Sequence, residues 1–409
     1  MLDIATEEGD GPQIRLLQGA AEFFPALIAA LDAAHTDVQF ETYLFDFTGT
    51  GTTVAEALER AAQRGVHVRV VVDGVGTGRL PAAWRLRFRA AGVRCLVYAP
   101  LGLLGLLLPS GWRRLHRKLC VIDGDTLFCG GINILDDFHD PNHGTLIAPR
   151  LDFAVQLSGP WVGRLVLQAS DTMERLWQRM VAVQNIRRYQ LPAAVHALRA
   201  AQAARHRSPP THSAVPKASL LLRDNLRHRA RIEKAYLRAI AAAREEIIIA
   251  NAYFLPGRKL RRALVLAAQR GVRVQLLLQG RYEYFLQYHG ARPVYGALLA
   301  AGIEIHEYEP SFLHAKVAVI DAQTTRPWVT VGSSNLDPLS LLLAREANVV
   351  LEDSQFALAL RQRLLDAMQQ AGRVLDPTRY AQRPWRVRLL DRIAFALVRA
   401  ALWLHGKKY

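Results

Sequence analysis

Cysteine is scarce in this chain, and so are the features that mark exported proteins. The three cysteines, Cys95, Cys120 and Cys129, lie in apolar segments. Their spacing matches neither a disulfide framework nor a zinc site. Residues 1–10 are acidic and lack both the basic start and the apolar stretch of a secretory signal. These absences indicate a protein of a reducing compartment.

Long apolar runs are also missing. The two longest candidates, residues 101–109 and 393–404, are shorter than the roughly 18 to 20 residues that a spanning helix needs. The remaining composition is that of a globular protein, because 51% of the residues are hydrophobic and 22% are charged. If this protein meets a membrane, we expect it to lie on the membrane surface rather than to cross it.

Acidic residues are outnumbered by basic ones. The formal net charge is +16, so the protein attracts polyanions such as nucleic acid or an acidic phospholipid surface. Charge alone does not choose between these two partners. The length of 409 residues exceeds that of a single hydrophobic core and predicts two domains of roughly 150 to 200 residues each.

The sequence repeats itself in its two halves. The pattern A-A-Q-R-G-V occurs at residues 61–66 and again at 267–272, and each copy leads into an apolar run, 68–73 and 274–279. In both halves such runs alternate with segments of helical period, which is typical of strand, helix, strand units. We therefore predict two similar α/β lobes, each a mixed β-sheet flanked by helices.

The boundaries of these lobes follow from composition. A segment rich in proline and polar residues, 200–217, reads as a surface linker. It separates an N-terminal lobe, residues 1–199, from a C-terminal lobe, residues 218–384. The last segment, residues 385–409, combines an apolar helical pattern with a basic stripe, which suits a lipid interface. The same pattern also fits a helix packed on the second lobe.

The most informative repeat comes late in each half. Both halves carry the pattern H-x-K-x4-D, followed by a strand that ends in G-[GS]-x-N. Alternate side chains of a strand share a face, so each His lies beside its Lys, and the pair suits an anionic phosphoryl group. The candidate site residues are His116, Lys118, Asp123, Gly130, Gly131 and Asn133 in the first half, and His314, Lys316, Asp321, Gly332, Ser333 and Asn335 in the second.

The remaining positions of the motif have separate interpretations. The glycine-rich turn would let backbone approach an anion closely, and each Asn adds a neutral donor. Asp123 and Asp321 lie an odd number of residues after their Lys. We therefore expect them to point away from the phosphate and to hold a turn.

On these residues the chain resembles the phospholipase D superfamily, whose signature is the duplicated H-x-K-x4-D, and within it the bacterial cardiolipin synthases. The resemblance implies that the two lobes meet around one shared active site. It also implies that one His attacks phosphorus to form a phosphohistidine while the other protonates the leaving oxygen. Lys and Asn would stabilise charge on the phosphoryl oxygens, so no metal or other cofactor is expected.

The resemblance also implies an acidic residue behind each His. Glu346 follows Asn335 by eleven residues, and Asp152 is its counterpart in the first lobe by local pattern. The assignment that the resemblance favours takes His116 as nucleophile oriented by Asp152, and His314 as general acid with Glu346 behind it. Gly131 departs from the usual Ser, so the first lobe would rely on backbone amides at this point.

The first half has an insertion before its motif. Residues 99–114 form an apolar loop that ends in a Trp and two Arg, and the second half has no equivalent. Such a loop suits acyl chains and phosphate headgroups, although it would also fit an internal packing segment. A nuclease would have little use for it. A loop around His139 and His143 could bind a metal, but a solvated loop explains its loose spacing as well.

Together these observations predict a peripheral phosphatidyltransferase on the cytoplasmic side of the cell membrane. Its expected partners are an anionic phospholipid surface and phospholipid substrates such as phosphatidylglycerol, with no obligate protein partner. Two alternatives stay open. A phospholipase D would use water as the acceptor and release phosphatidic acid, and a nuclease would fit the net charge but not the apolar loop.

Overall fold

The computed structural model describes residues 13–100, 113–141, 143–204, 218–224, 228, 230–282, 285–337 and 344–404. The apolar segment 101–109 and most of the expected linker lie outside them. The first lobe contains helices α1 (Gly19–Asp32), α2 (Gly51–Gln63), α3 (Ala82–Ala91), α4 (Gly163–Arg187) and α5 (Leu191–Ala203). Its strands are β1 (Gln13–Gln18), β2 (Asp37–Thr42), β3 (His67–Asp73), β4 (Arg94–Tyr98), β5 (Arg114–Leu115), β6 (Leu119–Ile122), β7 (Thr126–Gly130), β8 (His139–Asp140), β9 (Gly144–Thr145) and β10 (Phe153–Ser158).

The second lobe repeats this plan. Its helices are α6 (Arg231–Ala242), α7 (Arg258–Gln269), α8 (Phe285–Leu299), α9 (Ser354–Ala371), α10 (Pro377–Ala381) and α11 (Trp385–Leu404). Its strands are β11 (Ala218–Arg223), β12 (Glu246–Asn251), β13 (Arg273–Gln279), β14 (Glu304–Tyr308), β15 (Lys316–Ile320), β16 (Trp328–Gly332), β17 (Ala344–Leu351) and β18 (Gly372–Val374).

Each lobe is built on a mixed sheet. The first has the strand order β1-β10-β7-β6-β2-β3-β4, and the second β11-β17-β16-β15-β12-β13-β14-β18. In both, three strands joined by helices run parallel, and the remaining neighbours in these orders pair antiparallel. β5 of the first lobe pairs parallel with β17 of the second. The predicted fold class, two α/β lobes with helices against mixed sheets, is confirmed.

The repeated A-A-Q-R-G-V segment has one structural role in both lobes. It ends α2 and α7 with Gly65 and Gly271 in the left-handed region, at φ 94° and 88°. Val66 and Val272 then donate backbone hydrogen bonds to the carbonyls of Ala61 and Ala267 and bury their side chains. A glycine after the last helical turn, followed by a buried apolar residue, is a common helix stop. It turns the chain directly into β3 or β13.

The lobes share one apolar cluster, and each lobe has a further cluster of its own. Residues from the inner faces of both sheets, among them Val155 and Val331, belong to a single buried apolar cluster. Two backbone connections cross between the lobes close to the motif histidines. His116 donates its amide hydrogen to the carbonyl of Arg345 at 3.0 Å, and His314 donates to Leu151 at 2.8 Å. The position of each histidine therefore depends on the opposite lobe.

The C-terminal helix packs on the second lobe. Ala394 and Val398 of α11 are buried, and Asp391 pairs with His289 of α8 at 2.8 Å. Residues 385–409 were predicted to associate with a membrane or to pack on the second lobe. Over the described part of this segment, one side of α11 packs on that lobe and the other leaves an apolar ridge exposed. The expected linker start at residue 200 falls inside α5, which continues to Ala203. Among the described residues, no helix is long and apolar enough to cross a membrane.

Candidate active site

The H-x-K-x4-D pattern spans one strand from one end to the other. His116 and Lys118 lie just before β6, and Lys316 is the first residue of β15. The five residues after each Lys cover about 16 Å at the rise of a strand. Each Asp therefore lies at the opposite edge of its sheet from the His and Lys of the same motif.

The motif aspartates hold turns, as expected. Their assignment as catalytic residues is corrected by the contacts that they make. Asp123 and Asp321 adopt φ of 50° and 52°. The Asp123 carboxylate accepts backbone hydrogen bonds from residues 35–37, and that of Asp321 from residues 244–246. Each carboxylate thus anchors the start of the neighbouring antiparallel strand, β2 or β12. Their role lies in folding rather than in contact with a phosphate.

The carboxylate behind each histidine comes from the opposite lobe. His116 Nδ1 lies 3.1 Å from the carboxylate of Glu346, and His314 Nδ1 lies 2.6 Å from Oδ2 of Asp152. The pairing of His116 with Asp152 and of His314 with Glu346 inside each lobe is therefore wrong. Local pattern located the two carboxylates correctly, but it could not reveal that β17 and the start of β10 cross the shared core to reach the other histidine.

The two half-sites differ in how the carboxylate is held. Ser333 Oγ donates to Glu346, and the Ala347 amide donates back to Ser333 Oγ at 3.1 Å. In the first lobe, a Cβ built on Gly131 would lie 2.3 Å from Oδ1 of Asp152. The shorter Asp thus occupies the space of the missing Ser side chain. This steric relation, rather than anion binding, explains the glycine.

The glycines of the G-[GS]-x-N segments serve strand packing. A Cβ on Gly130 would lie 2.5 Å from the Ala154 Cα, and one on Gly332 would lie 2.4 Å from the Ala347 carbonyl oxygen. The amides of Gly131 and Ser333 donate to the carbonyls of Phe153 and Ala347. The prediction that this turn offers its backbone to an anion is wrong for these two amides, because the neighbouring strand uses them.

The asparagines that end the two G-[GS]-x-N segments differ in exposure, because Asn133 is half-buried and Asn335 is buried. The amide of Leu44 donates to Asn133 Oδ1 at 3.2 Å, so this side chain ties the loop after β2 to the site. In the second lobe, the corresponding tie is made by Asn251, whose Oδ1 accepts from Leu336.

The two lysines lie beside the histidines and repel each other. Lys118 Nζ donates to the His116 carbonyl oxygen at 2.9 Å, and Lys316 Nζ lies 2.7 Å from His314 Nδ1. Burial and the charge of Lys316 lower the pKa of Lys118 to about 7. A bound phosphate would oppose this shift, because an anion favours the charged ammonium. Positive charge is thus collected where a phosphoryl group would sit.

The electrostatics of the two histidine pairs also differ. Burial, Lys118 and Lys316 lower the pKa of His116 against the opposing effect of Glu346, and burial and Lys316 lower that of His314 well below its usual value. Burial raises the pKa of Asp152 to about 7. Burial acts the same way on Glu346, but His116, Lys118 and Ser333 hold its pKa below the usual value. Glu346 is therefore the more firmly ionised partner.

Two residues that support the histidines were not identified from the sequence. Asp73 ends β3 and accepts the Leu115 amide at 2.7 Å, and Gln279 ends β13 and accepts the Leu313 amide at 3.0 Å. Each thus fixes the residue directly before a motif histidine. Both stand seven residues after the last residue of the repeated A-A-Q-R-G-V segment. That common spacing was the signal that could have identified them.

Tyr43 is a third site residue that was not identified from the sequence. Its ring centroid lies 5.0 Å from that of His116, and Lys118 Nζ lies 5.5 Å from the centre of the Tyr43 ring. The ring therefore forms a wall of the site beside the first histidine. Among the residues that the structure describes, no group of three or more His, Cys, Asp or Glu side chains has the arrangement of a metal site.

Comparison with known proteins identifies the family. A family model described as "Cardiolipin synthase, PLD-like domain" matches residues 27–149 and 236–368, once in each lobe. This chain belongs to that family. The two matched segments contain both copies of the H-x-K-x4-D motif, so the resemblance inferred from the motif is confirmed.

Individual relatives extend the cardiolipin synthase likeness over nearly the whole chain. Cardiolipin synthase B of Salmonella typhi is 36% identical over 382 residues, which are 92% of this chain and 85% of that protein. Cardiolipin synthase A of Erwinia tasmaniensis is 28% identical and covers 94% of this chain and 75% of its own. The crystal structure of phosphatidylserine synthase from Haemophilus influenzae Rd KW20 superposes with a TM-score of 0.65 at 16% identity, over 96% and 94% of the two chains, and shows the same fold.

The crossed pairing of this family member can be tested without measuring turnover. We expect Glu346→Gln to lower the pKa of His116 further, because the carboxylate is the group that raises it, and to leave the ring signals of His314 nearly unchanged. Asp152→Asn should perturb His314 instead. Ring-labelled histidine NMR across a pH series measures both. A Glu346→Gln variant that shifts His314 and spares His116 would contradict the crossed pairing.

The fit of Asp152 against Gly131 gives a second prediction. In Gly131→Ala the added Cβ should push the Asp152 carboxylate away from His314, and displacement of a catalytic group by about 1 Å can cost about 100-fold in kcat. Gly163→Ala is the matched control, because its Cβ would meet no atom within 4 Å. Turnover of a phosphodiester and thermal unfolding are compared. Wild-type kcat in Gly131→Ala would show that the close contact has no role.

Proposed function

We propose that this chain is a phosphatidyltransferase that moves a phosphatidyl group from one phospholipid to the hydroxyl of another, with phosphatidylglycerol as the expected substrate. The observation that carries the proposal is the convergence of two carboxylate-bound histidines and two lysines between the lobes. This set provides a nucleophile, an acid and positive charge for one phosphodiester. The cardiolipin synthase relatives support lipid as the substrate.

The first half of the proposed reaction forms a phosphohistidine. Nδ1 of each ring faces a carboxylate, so Nε2 is directed toward the substrate. Nε2 of His116 attacks phosphorus, the bond from phosphorus to the leaving glycerol oxygen breaks, and His314, whose protonated form the bound phosphodiester favours, gives that oxygen a proton. The firmly ionised Glu346 favours His116 as nucleophile, because a carboxylate at Nδ1 stabilises the positive charge that the ring gains. Asp152, with its raised pKa, suits the histidine that exchanges protons.

The second half transfers the phosphatidyl group to the acceptor. The acceptor hydroxyl gives its proton to His314 while its oxygen attacks phosphorus, and the bond between phosphorus and His116 breaks. Lys118 and Lys316 offset charge on the phosphoryl oxygens in both steps. Water in place of the lipid hydroxyl would turn the same site into a phospholipase D. Transfer therefore requires that the bound acceptor excludes water.

A membrane position is part of the proposal. One side of α11 leaves apolar residues exposed while its other side packs on α8, and a cation lies over its first ring, since the Arg386 guanidinium is 5.6 Å from Trp385. Such a ridge suits peripheral binding to an anionic surface. We place the protein on the cytoplasmic side, in keeping with its free cysteines. The exposed ridge consists of Trp385, Val387, Leu389, Leu390, Ile393 and Leu397.

The test supplies labelled phosphatidylglycerol vesicles and plasmid DNA in parallel, in buffer with excess EDTA. We expect label in a diphosphatidyl lipid and intact DNA, because the two lysines supply the positive charge in this mechanism. His116→Ala and His314→Ala should each abolish turnover, whereas the exposed His139→Ala, the matched control, should not. Label only in phosphatidic acid would replace transferase with phospholipase D. Nicked DNA without a lipid product would overturn the proposal.

A further inference from the structure

The hairpin of α4 and α5 ends in an exposed apolar tip. The two helices pack through small residues, since Ala182, Ala194, Ala197 and Ala201 are all buried. Their outer faces carry large apolar side chains that are between 48% and 93% exposed. An apolar cluster this exposed on a soluble lobe marks an interaction surface. The exposed residues are Val183, Ile186, Tyr189, Leu191, Val195 and Leu198.

The direction of α4 places this tip beyond the β4 side of the first sheet. Along the helix, Ser170 bonds Gln39 of β2, Glu174 pairs with Arg69 of β3, and the Arg94 guanidinium of β4 lies 5.3 Å from the centre of the Trp177 ring. Gln39, Arg69 and Arg94 are register partners on neighbouring strands, so the helix runs across the sheet toward β4. Its last ten residues extend about 15 Å further at the rise of an α-helix. The tip thus projects from the body of the lobe.

The charge around the tip has one sign. No acidic residue occurs between Glu174 and Asp224. Arg187 and Arg188 at the tip and Arg199 on α5 are exposed. Apolar side chains among unneutralised arginines are typical of elements that lie in the headgroup region of an anionic bilayer. A protein partner with an apolar groove would not need this uniform positive charge.

Tyr189 at the turn between the helices carries a further indication. It adopts φ 59°, a region that favours glycine, and its side chain is 93% exposed. The positive φ ends α4, because it lets the Gln190 amide donate to the Asn185 carbonyl at 2.8 Å. Glycine would make this turn with less strain, yet the position carries an exposed aromatic residue. Tyr is a preferred residue of membrane–water interfaces, because its ring is apolar and its hydroxyl is polar.

We propose that the hairpin tip, residues 183–198, inserts into the headgroup region of an anionic phospholipid bilayer. The inference rests on the proposed function only for the position of the substrate at that surface. Vesicle binding tests it separately from turnover. A protein that lacks transferase activity but binds vesicles through this tip would overturn the proposed function and leave the inference intact.

The experiment uses the full chain with the triple variant Ile186→Gln, Tyr189→Gly and Leu191→Gln. Glycine at position 189 relieves the strained φ, so a folded protein is expected. The matched control carries Leu86→Gln, Leu266→Gln and Leu358→Gln, which alter three exposed leucines on other helices. Vesicles of phosphatidylethanolamine with phosphatidylglycerol are compared with vesicles of phosphatidylcholine by cosedimentation. Thermal unfolding and light scattering of each variant check folding and oligomeric mass.

We expect the tip variant to bind the anionic vesicles about tenfold more weakly, while the control variant binds like the wild type. Turnover of a dispersed short-chain phosphatidylglycerol should stay unchanged, because the tip does not contact the histidines. A fluorophore on Tyr189→Cys should shift to the blue on anionic vesicles only. Unchanged vesicle binding by a folded tip variant would overturn the inference. So would a change in oligomeric mass at unchanged vesicle affinity, which would assign the tip to a second copy of this chain.

Discussion

The reciprocal hold of each histidine by the opposite lobe is the constraint on which the rest of the structure depends. Glu346 of the second lobe binds the His116 ring, and Asp152 of the first binds the His314 ring. The backbone repeats this crossing, because each histidine amide donates to a carbonyl of the other lobe. A single lobe would leave its histidine without a carboxylate and its carboxylate buried without a histidine. Formation of the shared apolar core and assembly of the active site therefore depend on each other.

This arrangement concentrates like charges. Two lysines and two histidines share a buried space, and burial, together with the neighbouring positive charges, lowers the pKa values of His116, Lys118 and His314. The free protein thus carries an electrostatic cost at the place where a phosphodiester would bind. An anion relieves the cost by pairing with both lysines. Preorganised positive charge of this kind stabilises a phosphoryl transition state more effectively than flexible side chains at a surface.

Much of this structure could be predicted from the sequence, because the two halves of the chain can be compared with each other. The repeated helix stop and the duplicated motif indicated two α/β lobes and most of the site residues. The crossed carboxylates could not be predicted, since nothing in a local pattern tells whether β17 reaches its own histidine or the other one. Gly131 was interpreted as a missing hydroxyl, whereas its contact with Asp152 is steric and requires coordinates. The buried side of α11 was ambiguous for a similar reason, because apolar residues cover most of that helix.

The central claim is that the two histidines act in sequence on one phosphorus, and the stereochemistry of that phosphorus tests it most directly. A phosphatidyl donor that is chiral at phosphorus through oxygen isotopes is converted to product, and the configuration of the product is determined by phosphorus NMR. Each in-line displacement inverts the centre, so a phosphohistidine formed and then consumed predicts net retention. Net inversion would mean a single direct displacement. It would contradict the covalent role of His116 and the sequential action of the two histidines.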